Sequence, residues 1–332
     1  MELIIYLFIL LFINNFIQKK KLLLSITGHN HQSYVNNSVP LIGGIFLLLP
    51  TIYLFFPNYL IFLLAYISLF LLGLLSDLKI FESAKKRFLI QFIIILVFVI
   101  SYRLEVTPTK IYFFDSLIQK TYWSYFFTAF CLMILINGSN FIDGLNGLLL
   151  GYFTIIVLLL FKLDLINSLT FNNEILLYFT VIIFVILMLN FTNKLFLGDN
   201  GAYSLSFLLG FLLIETYNNN QNISPYFIIV LLWYPCFENL FSIIRKNMKR
   251  KNPLDPDTEH FHQKLFILLK KRFNITSLKS NILSSIIILS FNFVIFYIAS
   301  QAIGHSIFQI FLLVICIFSY FTMYVLINKM IK

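Results

Sequence analysis

The sequence predicts an all-α protein, a polytopic bundle of transmembrane helices that forms one integral membrane domain over residues 1–332. Three observations predict this class. The chain is 60% hydrophobic and only 11% charged, whereas soluble domains carry about 25% charged residues. Several apolar runs approach the roughly 20 residues that a helix needs to cross a bilayer. The runs are uniformly apolar, whereas the strands of a membrane barrel alternate every second residue.

About eleven spans are predicted along the chain. The first is expected to remain as a true span, because it lacks a basic leader and is followed by Lys19, Lys20 and Lys21. The three cysteines lie inside apolar runs, so no disulfide framework is expected. The predicted spans are 3–18, 41–56, 59–75, 88–102, 121–136, 148–163, 174–190, 201–217, 225–241, 281–300 and 306–327.

The distribution of positive charge orients these spans. The net charge is +10, but the cations gather in short loops beside apolar runs, which indicates a membrane surface and argues against nucleic acid. With the first end outside, only four of the 24 Lys and Arg residues fall in outer segments. The inner segments are then expected to be cytoplasmic loops that together form an active face: 19–40, 76–87, 137–147, 191–200 and 242–279.

Four polar islands interrupt the apolar pattern on this inner side. The first holds Asp77, which could bind a metal or accept a proton, and Arg87, whose planar guanidinium suits phosphate. The second carries Asn137, Asn140 and Asp143, which a helix would place on one face. A passive loop or a set of membrane-anchoring lysines is the alternative for these two islands.

The other two islands follow later in the chain. Asp199 is flanked by glycines at the start of a predicted helix, where it could act as a cap or as a ligand. Mg²⁺ takes one or two protein carboxylates, so Asp77, Asp143 and Asp199 suffice for a site if they converge. His260 and His262 follow a Pro-Asp stretch that favours extended backbone, where both would point the same way. They are either surface residues or donors to a phosphate.

In their order, these motifs resemble the polyprenyl-phosphate N-acetylhexosamine-1-phosphate transferase superfamily. The resemblance rests on Asn137-x-x-Asn140-Phe-Ile-Asp143-Gly-Leu-Asn146-Gly147, on Gly198-Asp199-x-Gly201, on His260-x-His262 and on Pro40-x-x-Gly43-Gly44, and it runs from about residue 28 to 265. The histidine motif is similar to that of the bacterial branch that loads N-acetylglucosamine-1-phosphate onto undecaprenyl phosphate. The chain departs from the family at Ser76 and Asn146, where aspartate is usual, and at Gln32 and Val35 in the first loop.

The resemblance implies a Mg²⁺-dependent enzyme, with Mn²⁺ as the alternative ion, in the bacterial inner membrane. It would transfer an N-acetylhexosamine-1-phosphate from a UDP-sugar to undecaprenyl phosphate at the cytoplasmic face, releasing UMP, as the first membrane step of O-antigen, capsule or wall-polymer synthesis. It further implies catalytic roles for Asp77, Asp143 and Asp199, with Asp199 and Asp77 on the metal. The same resemblance is compatible with a homodimer.

The remaining expectations concern substrate contacts and rival functions. The resemblance implies that Asn140, Asp143 and Asn146 orient nucleotide and sugar, that Asn137 and Arg87 also bind substrate, and that His260 and His262 contact phosphates. Alternatives are a peptidoglycan-precursor phospho-MurNAc-pentapeptide translocase, a polytopic transporter, or a degenerate family member retained for assembly. The identity of the N-acetylsugar stays open, because a few side chains that the sequence does not place decide it.

Overall fold

The computed structural model describes residues 2–24, 39–106, 108–118, 122–165, 173–252 and 258–331. Throughout these ranges the regular structure is helical, apart from two isolated β-bridges that join Leu24 to Pro40 and Leu41 to Phe196. The predicted all-α class is confirmed. Gln32 and Val35 of the first loop, and the stretch 253–257 before the histidines, lie outside the described residues.

Thirteen α-helices occur within the described ranges, and a 3₁₀ turn (Ser300–Ala302) joins the last two. The helices are α1 (Glu2–Lys20), α2 (Gly43–Phe55), α3 (Leu60–Asp77), α4 (Ala84–Tyr102), α5 (Tyr112–Ile118), α6 (Trp123–Ile142), α7 (Leu148–Lys162), α8 (Asn173–Phe191), α9 (Gly198–Asn218), α10 (Pro225–Met248), α11 (Phe261–Phe273), α12 (Ser277–Ala299) and α13 (Ser306–Ile331).

Each of the eleven predicted spans falls on one of these helices. Six helices of the described chain are long and apolar enough to cross a membrane, namely α1, α3, α6, α10, α12 and α13. Helices α2 and α7 and the segment Leu176–Phe191 of α8 are apolar but shorter. Helix α4 begins with Lys85, Lys86 and Arg87, and α9 begins with polar residues, which lowers the apolar content of both. The count of eleven stays a prediction.

The distribution of side chains suits a protein with lipid around it. Phe8 on α1 and Phe318 on α13 expose 75% and 71% of their surface, whereas Asn292 on α12 and Gln309 on α13 are fully buried. Polar side chains therefore face the interior of the bundle, where they find hydrogen-bond partners that lipid does not offer.

Helices extend into three of the predicted loops. Helix α6 continues to Ile142, α4 begins at Ala84, and α10 continues to Met248, so the loops predicted at 137–147, 76–87 and 242–279 are partly helical. Inside the last of these, α11 buries Leu265, Phe266 and Leu269 and exposes Lys270, Lys271 and Arg272. A short amphipathic helix escapes a search for long apolar runs, which explains why the sequence did not predict it.

Helix α9 is the centre of the bundle. Nearly all of its residues are buried, and it packs against α2, α3 and α6. Phe62 of α3 stacks on Phe207 and Phe211 of α9, with ring centroids 5.3 and 4.5 Å apart. This aromatic contact locks α3 alongside α9, and it thereby fixes where the end of α3 meets the beginning of α9.

Candidate active site

The end of α3 and the start of α9 are joined by a carboxylate. Asp77, the last residue of α3, accepts hydrogen bonds from the backbone nitrogens of Asp199 (2.9 Å) and Asn200 (3.1 Å), and from the Asn200 side chain. These nitrogens belong to the first turn of α9, where backbone N–H groups lack partners within the helix. Asp77 therefore caps α9 from a neighbouring helix and holds Asp199 in place.

Two glycines make this close junction possible. A Cβ atom on Gly73 of α3 would lie 2.5 Å from the backbone nitrogen and Cα of Asn200, so only glycine allows the two helices to approach this far. Gly198 has φ +78°, in the left-handed region that side chains disfavour. The backbone thus turns sharply into α9 just before Asp199.

Asp199 lies among neutral hydrogen-bond donors. The Ser76 hydroxyl donates to its Oδ2 (2.6 Å), and the Asn140 side chain donates to its Oδ1 (3.3 Å). The Tyr203 hydroxyl lies 3.5 Å from Oδ2. None of these donors carries a charge, so they orient the carboxylate without neutralising it. Ser76 stands where the family usually has aspartate, and here it supplies a donor in place of another negative charge.

Asp143 completes a group of three acidic residues. It is the residue after α6, one turn beyond Asn140, and it is half-buried. Burial and the nearby carboxylates of Asp199 and Asp77 raise the pKa of Asp143 well above its ordinary value. The structure thus brings together the three aspartates that the sequence singled out. We call Asp77, Asp143 and Asp199 the carboxylate cluster.

Two predicted substrate contacts flank this cluster. Arg87 donates from Nη1 to the carbonyl oxygens of Phe81 (3.2 Å) and Glu82 (3.3 Å), which places it over the turn between α3 and α4. Asn137 donates to the carbonyl of Met133 within α6 (2.8 Å). Both side chains already have partners on the protein, and their contacts with substrate stay predictions.

Asn146 has a different environment from the one expected of a substrate ligand. It is 5% exposed, and its side-chain nitrogen donates to the Asn190 carbonyl (2.9 Å) and to the Asn193 side chain. Its backbone nitrogen donates to Asn281 (2.7 Å). Asn146 therefore ties the turn between α6 and α7 to α8 and α12. The substrate contact predicted for it is disfavoured by this geometry, and an amide fits here because carboxylate oxygens cannot donate.

The two histidines of the fourth island are buried at the start of α11. His260 is the residue before the helix, and its backbone nitrogen donates to Gln263 Oε1 (3.2 Å) in a capping box. His262 is already helical, so the extended arrangement predicted for this pair is wrong. The rings nevertheless stack 5.5 Å apart, and the His260 ring packs 4.8 Å from Phe141 of α6. The histidines thus lie against α6 at Phe141, close in sequence to Asn140 and Asp143 at the end of that helix.

The carboxylate cluster suits Mg²⁺ better than an all-protein metal cage. Among the described residues, no three or more His, Cys, Asp or Glu side chains are grouped so that they could hold a metal by themselves. Asp77 already accepts three hydrogen bonds, whereas Asp199 accepts only from neutral side chains. Mg²⁺ uses one or two carboxylates and completes its coordination with phosphate oxygens and water, and Asp199 with a neighbouring aspartate fits that requirement.

The chain is similar to known membrane transferases. Residues 59–217, which contain the whole carboxylate cluster, match the family model described as glycosyl transferase family 4. The chain is 27% identical over 251 residues, or 74% of its length, to a probable undecaprenyl-phosphate N-acetylglucosaminyl 1-phosphate transferase of Bacillus subtilis, of which it covers 67%. It is 27% identical over 226 residues, 68% of the chain and 67% of the relative, to an undecaprenyl-phosphate alpha-N-acetylglucosaminyl 1-phosphate transferase of Thermotoga maritima.

Another branch of transferases also matches. A phospho-N-acetylmuramoyl-pentapeptide-transferase of Dictyoglomus thermophilum is 30% identical over 213 residues, 60% of this chain and 67% of the relative. The similarity therefore extends across two substrate classes, and sequence identity alone does not choose between them.

Proposed function

This chain belongs to glycosyl transferase family 4, and from that premise we propose that it transfers an N-acetylhexosamine-1-phosphate from a UDP-sugar to undecaprenyl phosphate, releasing UMP. The observation that carries the proposal is the convergence of Asp77, Asp143 and Asp199 at one end of a helical bundle. Asp199 with its neutral donors, and a second aspartate beside it, would form a site that attracts a divalent cation and, through it, phosphate groups. Membership of a transferase family argues against the transporter alternative.

The reaction joins two anions. An oxygen of the lipid phosphate forms a bond to the β-phosphorus of the UDP-sugar, while the bond from that phosphorus to the bridging oxygen breaks and the oxygen leaves with UMP. A strong base is not needed, because a phosphate monoester with a second pKa near 6 is mostly ionised at neutral pH. The main obstacle is repulsion between the reactants and the charge that spreads over the phosphoryl oxygens.

The residues of the site divide this work. Asp199 would hold Mg²⁺, which when bound supplies positive charge that stabilises the pyrophosphate and its leaving group. Asp77 fixes Asp199 through the first turn of α9 and is the second carboxylate available to the ion. Asn140 and Asp143 face the same space and orient nucleotide and sugar. His260, His262 and Arg87 contact phosphates.

The location and pathway are parts of the same proposal. The membrane would be a bacterial inner membrane. The polar end of the bundle would face the cytoplasm, an orientation that the excess of Lys and Arg in the loops at that end supports. UDP-sugars are water-soluble and the acceptor is a lipid, so the site must open to both. The product would begin a surface polysaccharide such as O-antigen, capsule or wall polymer, and the protein would act as a single chain or a homodimer.

A donor panel tests this proposal. Purified protein is mixed with Mg²⁺, undecaprenyl phosphate and one donor at a time: UDP-N-acetylglucosamine, UDP-N-acetylgalactosamine or UDP-N-acetylmuramoyl-pentapeptide. Mass spectrometry of the lipid and measurement of released UMP report transfer. We expect product from a simple UDP-N-acetylhexosamine and loss of product with EDTA. Product from the pentapeptide donor alone would instead assign the function of the Dictyoglomus relative.

A further inference from the structure

Glu238 is a buried acidic residue that the proposed reaction does not use. It lies within α10, with no exposed surface. Its Oε1 accepts from His260 Nδ1 (2.9 Å) and from the backbone nitrogen of Phe261 (3.1 Å), and its Oε2 accepts from the Tyr320 hydroxyl (2.9 Å). An isolated carboxylate is costly to bury, and these three donors offset that cost. The residues Glu238, His260 and Tyr320 are called the Glu238 network below.

The need to hold α10, α11 and α13 together does not by itself explain why a charged residue stands at position 238. The neighbouring Glu259 already ties the same segment to α10 through ion pairs with Arg245 (3.3 Å) and Lys249 (2.5 Å). The Tyr324 hydroxyl ties it to α13 by donating to the Glu259 carbonyl (3.1 Å). Replacing a buried charged group by a well-packed apolar one is often neutral or stabilising. The charge of Glu238 is therefore better explained by its hydrogen bond to His260.

The hydrogen bond to Nδ1 fixes two properties of the imidazole. A carboxylate that accepts at Nδ1 keeps a proton there and sets the plane of the ring, which directs Nε2 to the opposite edge. The ring also packs on Phe141, between Asn140 and Asp143 in sequence. The orientation of His260 is thus set relative to the residues proposed to hold the substrate.

We propose that Glu238 is a positioning residue for His260, and that Tyr320 secures Glu238 so that α13 supports the active site. This inference rests on the proposed function, in which His260 contacts a phosphate. The matched family region ends at residue 217, so all three members of the network lie beyond it. Helix α13 then supports the active site in addition to spanning the membrane. One face of this helix carries a polar residue every four positions. These residues contact the segment around the histidines: Tyr320 with Glu238, Tyr324 with Glu259 and Asn328 with Lys264.

Kinetics of single and double variants test the inference. We expect Glu238→Leu to lower kcat roughly 10–100-fold, the loss typical when a group that orients a histidine is removed. Glu238→Gln should lose less, because glutamine keeps an acceptor oxygen and the shape of the side chain. Glu238→Leu combined with His260→Gln should be no slower than His260→Gln alone. If the loss of kcat in the double variant equals the product of the two single losses, the inference is overturned, because Glu238 would then act independently of His260.

Matched controls separate positioning from general damage. Glu215→Gln makes the same chemical change at the opposite end of α9 from Asp199, and we expect wild-type kcat from it. Tyr320→Phe should lower kcat in the same direction as Glu238→Gln. Thr322→Val, which removes an exposed hydroxyl two residues away on α13, should not. Equal effects of Tyr320→Phe and Thr322→Val would refute the role of Tyr320.

A measurement without turnover keeps the test independent of the proposed reaction. The chain has five histidines, and ¹⁵N-labelled histidine reports by NMR which ring nitrogen carries the proton. The signal that disappears in His260→Gln belongs to His260. We expect that signal to show a protonated Nδ1 in the wild type and to change in Glu238→Leu. An unchanged signal overturns the positioning role. A wild type that transfers no sugar overturns the proposed function alone, and the NMR result then decides about Glu238.

Discussion

The carboxylate cluster and the Glu238 network differ in how neighbouring groups compensate their negative charge. Burial and the nearby carboxylates of Asp199 and Asp77 raise the pKa of Asp143, and the side chains that donate to Asp199 are neutral. Glu238 instead accepts from an imidazole, a hydroxyl and a backbone N–H. The first region is left with negative charge that a ligand can satisfy, whereas the second is satisfied by the protein itself.

The carboxylate cluster is therefore suited to binding a ligand, whereas the Glu238 network is suited to positioning a side chain. Like charges that approach one another repel, and the protein gains by placing them together only where a cation or a substrate relieves the repulsion. Glu238 has no exposed surface to offer a ligand, but its hydrogen bonds can hold a neighbouring group in a precise orientation. Substitutions in the two regions should therefore change different properties of the protein.

Asp199→Asn should remove nearly all transfer while leaving the fold intact. The amide keeps the hydrogen bonds of the side chain approximately but lacks the charge that would hold Mg²⁺, and we expect kcat to fall about 10³-fold or more. Transfer of radiolabelled sugar in membranes measures the loss, with Asp164→Asn, exposed after α7, as the control. Retained activity with normal insertion would remove Asp199 from the metal site.

Asp77→Asn should cost stability as well as activity, unlike Asp199→Asn. The new NH₂ group would face N–H donors at the start of α9, and loss of a helix cap costs about 0.5–2 kcal/mol. We expect a lower melting temperature in detergent together with slower transfer. Loss of activity at an unchanged melting temperature would mean that Asp77 acts directly on the substrate or metal and has no capping role.

Gly73→Ala should separate α3 from α9 and thereby disturb the carboxylate cluster. The added methyl would meet the rigid backbone of Asn200 at 2.5 Å, and overpacking of this kind costs about 1–3 kcal/mol. Gly151→Ala is the matched control, because there the nearest atom, at 2.6 Å, belongs to the Leu289 side chain, which can move. Thermal unfolding should rank Gly73→Ala below Gly151→Ala, and the reverse order would contradict the proposed contact.

Asn146→Asp restores the residue usual in the family but should not improve the enzyme. A carboxylate cannot donate to the Asn190 carbonyl, which would be left without this bond at a cost of about 1–3 kcal/mol. We expect a lower melting temperature and no gain in transfer. Faster transfer by this variant would show that position 146 serves the substrate after all.

Loss of an ion pair of Glu259 should give the smallest effect, and its size should depend on pH. Partial burial alone would raise the pKa of Glu259, but Lys249, Lys264 and Arg245 outweigh it and lower the pKa below 4.5. The ion pairs therefore stabilise the folded state above the unfolded pKa, and this contribution is lost as pH falls through the lowered pKa. Lys249→Ala should lower the melting temperature by a few degrees at most at pH 7, since such pairs contribute about 0–1 kcal/mol, and should make less difference in acid.

Much of the site was predictable because its chemistry is visible in single residues. A carboxylate such as Asp199 between glycines, in a chain this apolar, indicates a functional site, and Asn140 and Asp143 stand at helical spacing from one another. The role of Ser76 was not predictable, because a serine at the end of an apolar run has no signal of its own. Glu238 was missed for the same reason: it lies inside a span where one acidic residue does not interrupt the apolar pattern.

By itself the sequence predicted the all-α class, the approximate positions of eleven of the thirteen described helices, and the acidic and amide residues proposed for the site. These follow from local composition, since about twenty apolar residues suffice to define a membrane helix. Tertiary structure alone decided that Asp77 caps a helix 122 residues away, that Asn146 packs against other amides, and that α13 contacts Glu238, the partner of His260. Hydrogen-bond partners between helices are set by how the helices pack, and a local sequence pattern carries no information about that.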